Sequence, residues 1–166
     1  MPKLKRIGLG GGCHWCTEGV FVSLAGVGRV AQGWISSTAP WQQPSEAVIV
    51  HYDTEHISLR TLIEVHLQTH AATVAHPLRH KYRSAVYVFA EDALDRVGGL
   101  LDEVAVNYPE PLQTQVLPFV SFSPSLPEHR DYYRSDPERP FCRRYITPKL
   151  NRLRRDQPEL FFSNEQ

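Results

Sequence analysis

Three glycines, Gly10-Gly11-Gly12, run directly into Cys13, and His14-Trp15-Cys16 then complete a C-x-x-C pair. A thiolate is a nucleophile and a thiol is not. A free cysteine ionises at about pH 8.5, and a helix N-terminus lowers that by one to several units. Unpaired N–H groups and the helix dipole favour an anion at such a terminus. Glycines let the chain turn sharply into it. Most lone cysteines are small buried apolar residues; the glycine run is what favours a reactive Cys13. The two sulfurs would lie on adjacent turns of one helix face. That geometry suits a local disulfide or a shared metal. Zinc wants four ligands, and no second C-x-x-C or Cys/His pair stands at finger spacing. Redox chemistry is therefore favoured, with Cys16 or Cys142 attacking an oxidised Cys13.

The elements that must position these residues follow from periodicity. Lys5 to Leu9 predicts a strand that ends at the glycines, and Val20, Phe21 and Leu24 have helical spacing over Trp15 to Leu24. Val27 to Ile35 and Ala47 to Tyr52 predict strands; in the second, Val48, Val50 and Tyr52 alternate with Ala47, Ile49 and His51. Ser36 to Pro44 predicts a loop. Ser58 is a helix N-cap ahead of the amphipathic run Leu59, Leu62, Ile63, Val65, Leu67 and His70. Ala71 to Lys81 predicts a loop and Ser84 to Phe89 a strand. Asp92 to Val106 predicts a helix weakened by Gly98-Gly99. Gln115 to Phe122 predicts a last strand broken by Pro118, followed by a Pro-rich stretch and a basic helical tail from Pro148 to Arg155. Interleaved strands and helices leave the classes α+β and α/β open.

The chain has 166 residues, 42% hydrophobic and 22% charged, with zero formal net charge. It is long enough for one domain with a substantial core. Its charge balance predicts neither nucleic-acid nor anionic-membrane binding. The late basic residues Arg143, Arg144, Lys149, Arg152, Arg154 and Arg155 read as a solvated helix face. No stretch is apolar enough to span a bilayer. Met1 to Arg6 lacks the apolar core of a signal peptide, so the expected location is cytoplasmic. Three cysteines argue against a disulfide framework.

Gly11-Gly12-Cys13-His14-Trp15-Cys16 resembles the G-G-C-F-W-G signature of A-type peptide methionine sulfoxide reductases. Leu24-Ala25-Gly26-Val27 resembles the family's L-P-G-V. Glu46-Ala47-Val48 with Tyr52-Asp53 and Ile57-Ser58 resembles its E-[AV]-V…Y-D…I-S segment, and Tyr82-Arg83-Ser84-Ala85 its Q-Y-R-S-A. Glu128 to Tyr132 is similar to H-Q-x-Y, and Pro148-Lys149-Leu150 to P-K-L. Each piece is weak alone; the ordered set covers nearly the whole chain. The resemblance implies an α+β, two-layer sandwich with a ferredoxin-like core and a mixed sheet. It implies one domain over 1–166 with an irregular segment from about 124. It implies reduction of methionine-S-sulfoxide, free or in peptides, without a cofactor or metal. Carried over, Cys13 is the nucleophile, Glu46 the acid that protonates the sulfoxide oxygen, and Tyr82 a hydrogen-bonding tyrosine. Trp15 is one wall of a pocket for the substrate methyl group. The first product is a Cys13 sulfenic acid. Cys142 sits where many members keep a recycling cysteine, and Cys16 offers a nearer one. Thioredoxin or a similar dithiol would restore the thiols.

The departures surround the substrate. His14 replaces phenylalanine in the pocket wall, Trp34 replaces a second substrate-binding tyrosine, and Pro44-Ser45 replace a glycine-histidine pair. An aspartate expected before Tyr82 is missing near Pro77. Two other readings stand beside the reductase: a general thiol–disulfide oxidoreductase using Cys13 and Cys16, which would turn over disulfides but no sulfoxide, and a non-catalytic relative binding a peptide or metal. His66, His70, His76 and His80 lend the metal reading slight weight.

Overall fold

The computed structural model describes residues 4–161; residues 1–3, the start of the basic N-terminal stretch, and 162–166 lie outside the described residues. In chain order the elements are β1 (Leu4–Gly10), α1 (His14–Val22), β2 (Val27–Ser36), β3 (Ser45–Asp53), α2 (Leu59–Gln68), β4 (Ala85–Val88) and α3 (Ala93–Ala105). Then come β5 (Gln115–Pro118), β6 (Ser121–Pro124), α4 (Tyr132–Ser135), a π-helical turn (Cys142–Ile146) and α5 (Thr147–Asp156). The sheet order is β5-β4-β1-β3-β2-β6. β1 lies antiparallel between β3 and β4, β2 lies antiparallel outside β3, and β4 pairs in parallel with β5. The inner order β4-β1-β3-β2, with α1 and α2 as crossovers, is the split βαβ arrangement of a ferredoxin-like core. The expected α+β class and mixed sheet are therefore present.

Alternation decides the layers. Val48, Val50 and Tyr52 of β3, with Ile7, Leu9, Val86 and Val88, pack against Phe21, Leu62, Ile63, Val97 and Leu150 from the helices. The intervening Ala47 and Ile49 face the other side, where Ile35, Tyr87 and Leu117 join Trp41, Phe119 and Phe122. Loops, not helices, cover that second face. Ser58 caps α2 as its type predicts, accepting from the Thr61 N–H at 3.0 Å.

One expected element is two. The strand predicted over Gln115 to Phe122 is split at Pro118 into β5 and β6, which occupy opposite edges of the sheet. Pro118 has no N–H to continue a ladder. The next two N–H groups go to different strands: Phe119 donates to Val88 O at 2.8 Å and Val120 to Ser36 O at 3.0 Å. A run of apolar residues cannot reveal that its two halves pair with different partners. The C-terminal segment expected to be irregular holds the short α4 and the π-helical turn.

Helix α3 forms despite Gly98-Gly99 because Val97, Leu101 and Val104 are buried along one stripe. A Cβ built at either glycine meets nothing within 4 Å. Gly99→Ala is therefore expected to stabilise the protein by roughly 0.5–1 kcal/mol, read as a rise of about 2 °C in Tm. A fall in Tm would show that α3 is held by something other than backbone freedom at these positions.

Candidate active site

Cys13 stands between β1 and α1, immediately before the first helical residue. Its carbonyl accepts the N–H groups of Cys16 and Thr17 at 3.1 and 3.2 Å. Its sulfur faces the N–H groups of Trp15 and Cys16 and the Cys16 thiol. The thiol hydrogen bond from Cys16 is the largest influence, and with the backbone N–H groups it lowers the Cys13 pKa to about 7, against the opposing pull of burial and of the Glu46 charge. The donor is pushed the other way: the Cys16 thiol is held protonated by its hydrogen bond to the Cys13 sulfur, and burial reinforces the rise in its pKa. Cys142 is fully buried in the π-helical turn, which raises its pKa as well. All three cysteines are unbridged.

The glycine turn is held from below by groups whose role the sequence did not disclose. His66, on the buried face of α2, donates from Nε2 to Gly10 O at 2.8 Å. His70 donates from Nδ1 to the His66 carbonyl and meets Ser84 Oγ at 2.8 Å with Nε2. Burial lowers the pKa of both, that of His70 to about 4, so each is a neutral framing group. A Cβ at Gly11 would come within 2.5 Å of the His70 ring, so glycine is required there for close approach. Arg79 donates through Nη1 to Gly11 O at 2.9 Å and Tyr82 O at 3.0 Å.

Glu46 is brought to Cys13 by the sheet. It lies on β3 opposite Trp34 of β2, with 7% of its surface exposed. Its Oε1 accepts the N–H of His14, the residue after Cys13, at 3.1 Å. Its Oε2 lies 3.7 Å from Lys81 Nζ. Ser45 anchors the loop that carries Tyr82: its hydroxyl donates to Lys81 O at 2.9 Å and accepts from Arg83 N–H at 2.7 Å.

A cavity of about 330 Å³ opens over Cys13, Cys16 and Tyr82, bordered also by Gly11, Gly12, His70, Arg79, Phe141 and Lys149. Lys149, expected on a solvated face, instead borders this cavity, and its charge opposes the rise in the Cys16 pKa. Glu46, His14, Trp15 and Trp34 are not part of that lining. Trp15 is engaged elsewhere: Tyr132 stacks on it at 4.2 Å and 7°, and Phe141 meets it edge-on at 5.4 Å. Tyr132 is placed by Glu18, a buried carboxylate that accepts the N–H groups of Asp131 and Tyr132 at 2.8 and 3.2 Å. Glu18 and Arg79 shape the site without any signal in the sequence, and His70 and Lys149 shape it in roles other than those their types predict. The one legible trace was the i, i+4 spacing of His66 and His70 on the apolar face of α2. Among the described residues, no three His, Cys, Asp or Glu side chains converge as a metal site. No helix among them is long and apolar enough to cross a membrane.

The family model for peptide methionine sulfoxide reductase matches residues 5–160. A peptide methionine sulfoxide reductase of Thermus thermophilus is 33% identical, over 89% of this chain and 92% of that one. The chain belongs to the peptide methionine sulfoxide reductase family. As a member of it, the protein is an oxidoreductase that reduces methionine sulfoxide. Its fold is shared with Mxr1 of Saccharomyces cerevisiae in reduced form, with a TM-score of 0.70, 20% identity, and coverage of 82% of this chain and 87% of that one. Mxr1 in complex with Trx2 matches with a TM-score of 0.61 and 20% identity, over 78% of this chain and 85% of that one.

The arrangement around Cys13 sets the ionisation of its thiol. Alkylation of Cys13 by iodoacetamide, followed by peptide mapping, is expected to rise through a midpoint near pH 7. Cys16→Ala removes the main donor to the thiolate, so the midpoint moves upward. An unchanged midpoint would show that the backbone N–H groups alone hold the anion.

Proposed function

We propose that the protein reduces the S epimer of methionine sulfoxide through Cys13, with Glu46 as the acid and Cys16 as the first resolving thiol. One observation carries the reading. A cysteine whose pKa is lowered to about 7 stands next to a peptide N–H bonded to a carboxyl from another strand. Attack and protonation thus start from neighbouring points. The Cys13 thiolate attacks the sulfoxide sulfur to form an S–S bond while Glu46 protonates the oxygen; that hydroxyl then moves from the methionine sulfur to the Cys13 sulfur as the S–S bond breaks, releasing methionine and leaving a Cys13 sulfenic acid. Tyr82 borders the cavity and supports the substrate oxygen by a hydrogen bond. Trp15 backs the surroundings of the substrate methyl group through its stack on Tyr132, and His14 and Trp34 pack behind it beside the Glu46 carboxyl.

Regeneration uses the nearer thiol. The Cys16 thiol lies close enough to the Cys13 sulfur to be the main influence on its pKa, whereas Cys142 is enclosed in the π-helical turn. Cys16 condenses with the sulfenic acid, water leaves, and a thioredoxin-like dithiol reduces the resulting disulfide. Three unbridged cysteines suit a reducing, cytoplasmic compartment.

The test is turnover of a sulfoxide peptide with the two epimers resolved chromatographically. The wild type is expected to consume one epimer, Cys13→Ser neither, and Glu46→Gln to slow the reaction by about 10²–10³-fold. Cys16→Ser is expected to keep a single turnover and lose recycling by thioredoxin. If Cys142→Ser loses recycling and Cys16→Ser keeps it, the assignment of the resolving thiol is reversed.

A further inference from the structure

The family signature carries phenylalanine where this chain has His14, and the structure gives that imidazole a defined place. It is buried at the start of α1. Its Nδ1 lies 2.9 Å from Gly33 O. A carbonyl oxygen only accepts, so Nδ1 carries the hydrogen. In the neutral ring, Nε2 is then left with its lone pair. That atom is 3.8 Å from Glu46 Oε1, the same oxygen that accepts the His14 backbone N–H. Trp34 meets the ring edge-on at 5.0 Å, so the Gly33 bond and the indole together fix its orientation. The ionisable and charged groups around the pair come from three elements. Glu46 itself is on β3, Cys13 stands just before α1 within reach of the Glu46 charge, and Lys81, from the loop before β4, lies 3.7 Å from Glu46 Oε2. β2 contributes the Gly33 carbonyl and Trp34. Glu18, further along α1, has its oxygens engaged by Gln32, Asp131 and Tyr132.

We propose that His14 and Glu46 form a proton-sharing pair, in which the imidazole returns a proton to the carboxyl after that carboxyl has protonated the sulfoxide oxygen. The proposal rests on the reading of Glu46 as the acid and adds the group behind it. In the first step the Glu46 O–H bond breaks and its proton goes to the sulfoxide oxygen. The Cys13 sulfur takes that oxygen as S–OH. Methionine sulfur is reduced by two electrons and Cys13 oxidised by two. In the second step solvent protonates the Nε2 lone pair of His14 and that hydrogen moves on to Glu46 Oε1, which restores both the carboxylic acid and the neutral ring. His14 does not touch the substrate in this scheme; it acts through Glu46.

The test is the pH profile of kcat/KM on a sulfoxide peptide for wild type, His14→Phe and His14→Gln. His14→Phe installs the residue of the family signature, and His14→Gln keeps a donor near Gly33 O without a titrating ring. Both are expected to move the alkaline limb down by about one pH unit, while the Cys13 alkylation midpoint stays in place. A His14→Gln profile that overlays the wild type would overturn the pair. A second arm follows the His14 ring by NMR in the resting protein. The Nδ1–H tautomer and a downward move of its midpoint in Glu46→Gln support the coupling, and an identical midpoint overturns it. If wild type fails to turn over any sulfoxide, the assignment of Cys13 and Glu46 falls with the relay role of His14, while the NMR arm still decides whether the two groups share a proton.

Discussion

A sulfur anion held at the mouth of α1 is the constraint on which the rest of the site depends. The anion needs donors, and the first turn of a helix supplies them only if the chain enters at the right angle. The Gly10 to Gly12 turn provides the angle. His66 and Arg79 hold the Gly10 and Gly11 carbonyls of that turn, and the His70 ring packs against Gly11. The Cys16 thiol completes the donor set one turn along the helix. Moving any of these supports would change the N–H directions before it changed the sulfur itself. The reactivity of Cys13 is thus a property of three elements rather than of a cysteine and its neighbours in sequence.

The second constraint is register. β3 lies between β1 and β2, so a residue at its start emerges beside the end of β1, where Cys13 follows. Glu46 is that residue. Its carboxyl is kept from solvent by the same pairing that aims it. A one-residue slip of β3 would turn the side chain to the other face of the sheet and leave Cys13 without a neighbouring carboxyl. Ser45 adds a local fastening by tying Lys81 and Arg83 to the strand, so that Tyr82 reaches the cavity from a loop lacking the aspartate of the family pattern.

The departures from the family pattern fall into two groups. Ser45 ties the Lys81 carbonyl and the Arg83 N–H to β3 beside Glu46. His14 and Trp34 meet each other, so the two changes form one contact. A larger indole at one position is matched by a smaller, polar ring at the other, and the pair packs beside the carboxyl rather than inside the Cys13 cavity.

The sequence by itself determined the nucleophile turn, most of the strands and helices, and the candidates Cys13, Cys16, Glu46 and Tyr82. Those are local signals: a glycine run, a period of 2 or 3.6, a cap, an ordered set of short motifs. It could not determine that Gln115 to Phe122 is two strands at opposite edges, since pairing partners are not written in a run of apolar residues. Nor could it show that Trp15 lies under Tyr132, that Glu18 anchors that tyrosine, or that Lys149 turns toward the cavity. Each of these joins residues separated by about a hundred positions or more. Only the closing of the C-terminal segment over α1 brings them within hydrogen-bonding or van der Waals reach, and that closure is driven by burial of area rather than by any local pattern.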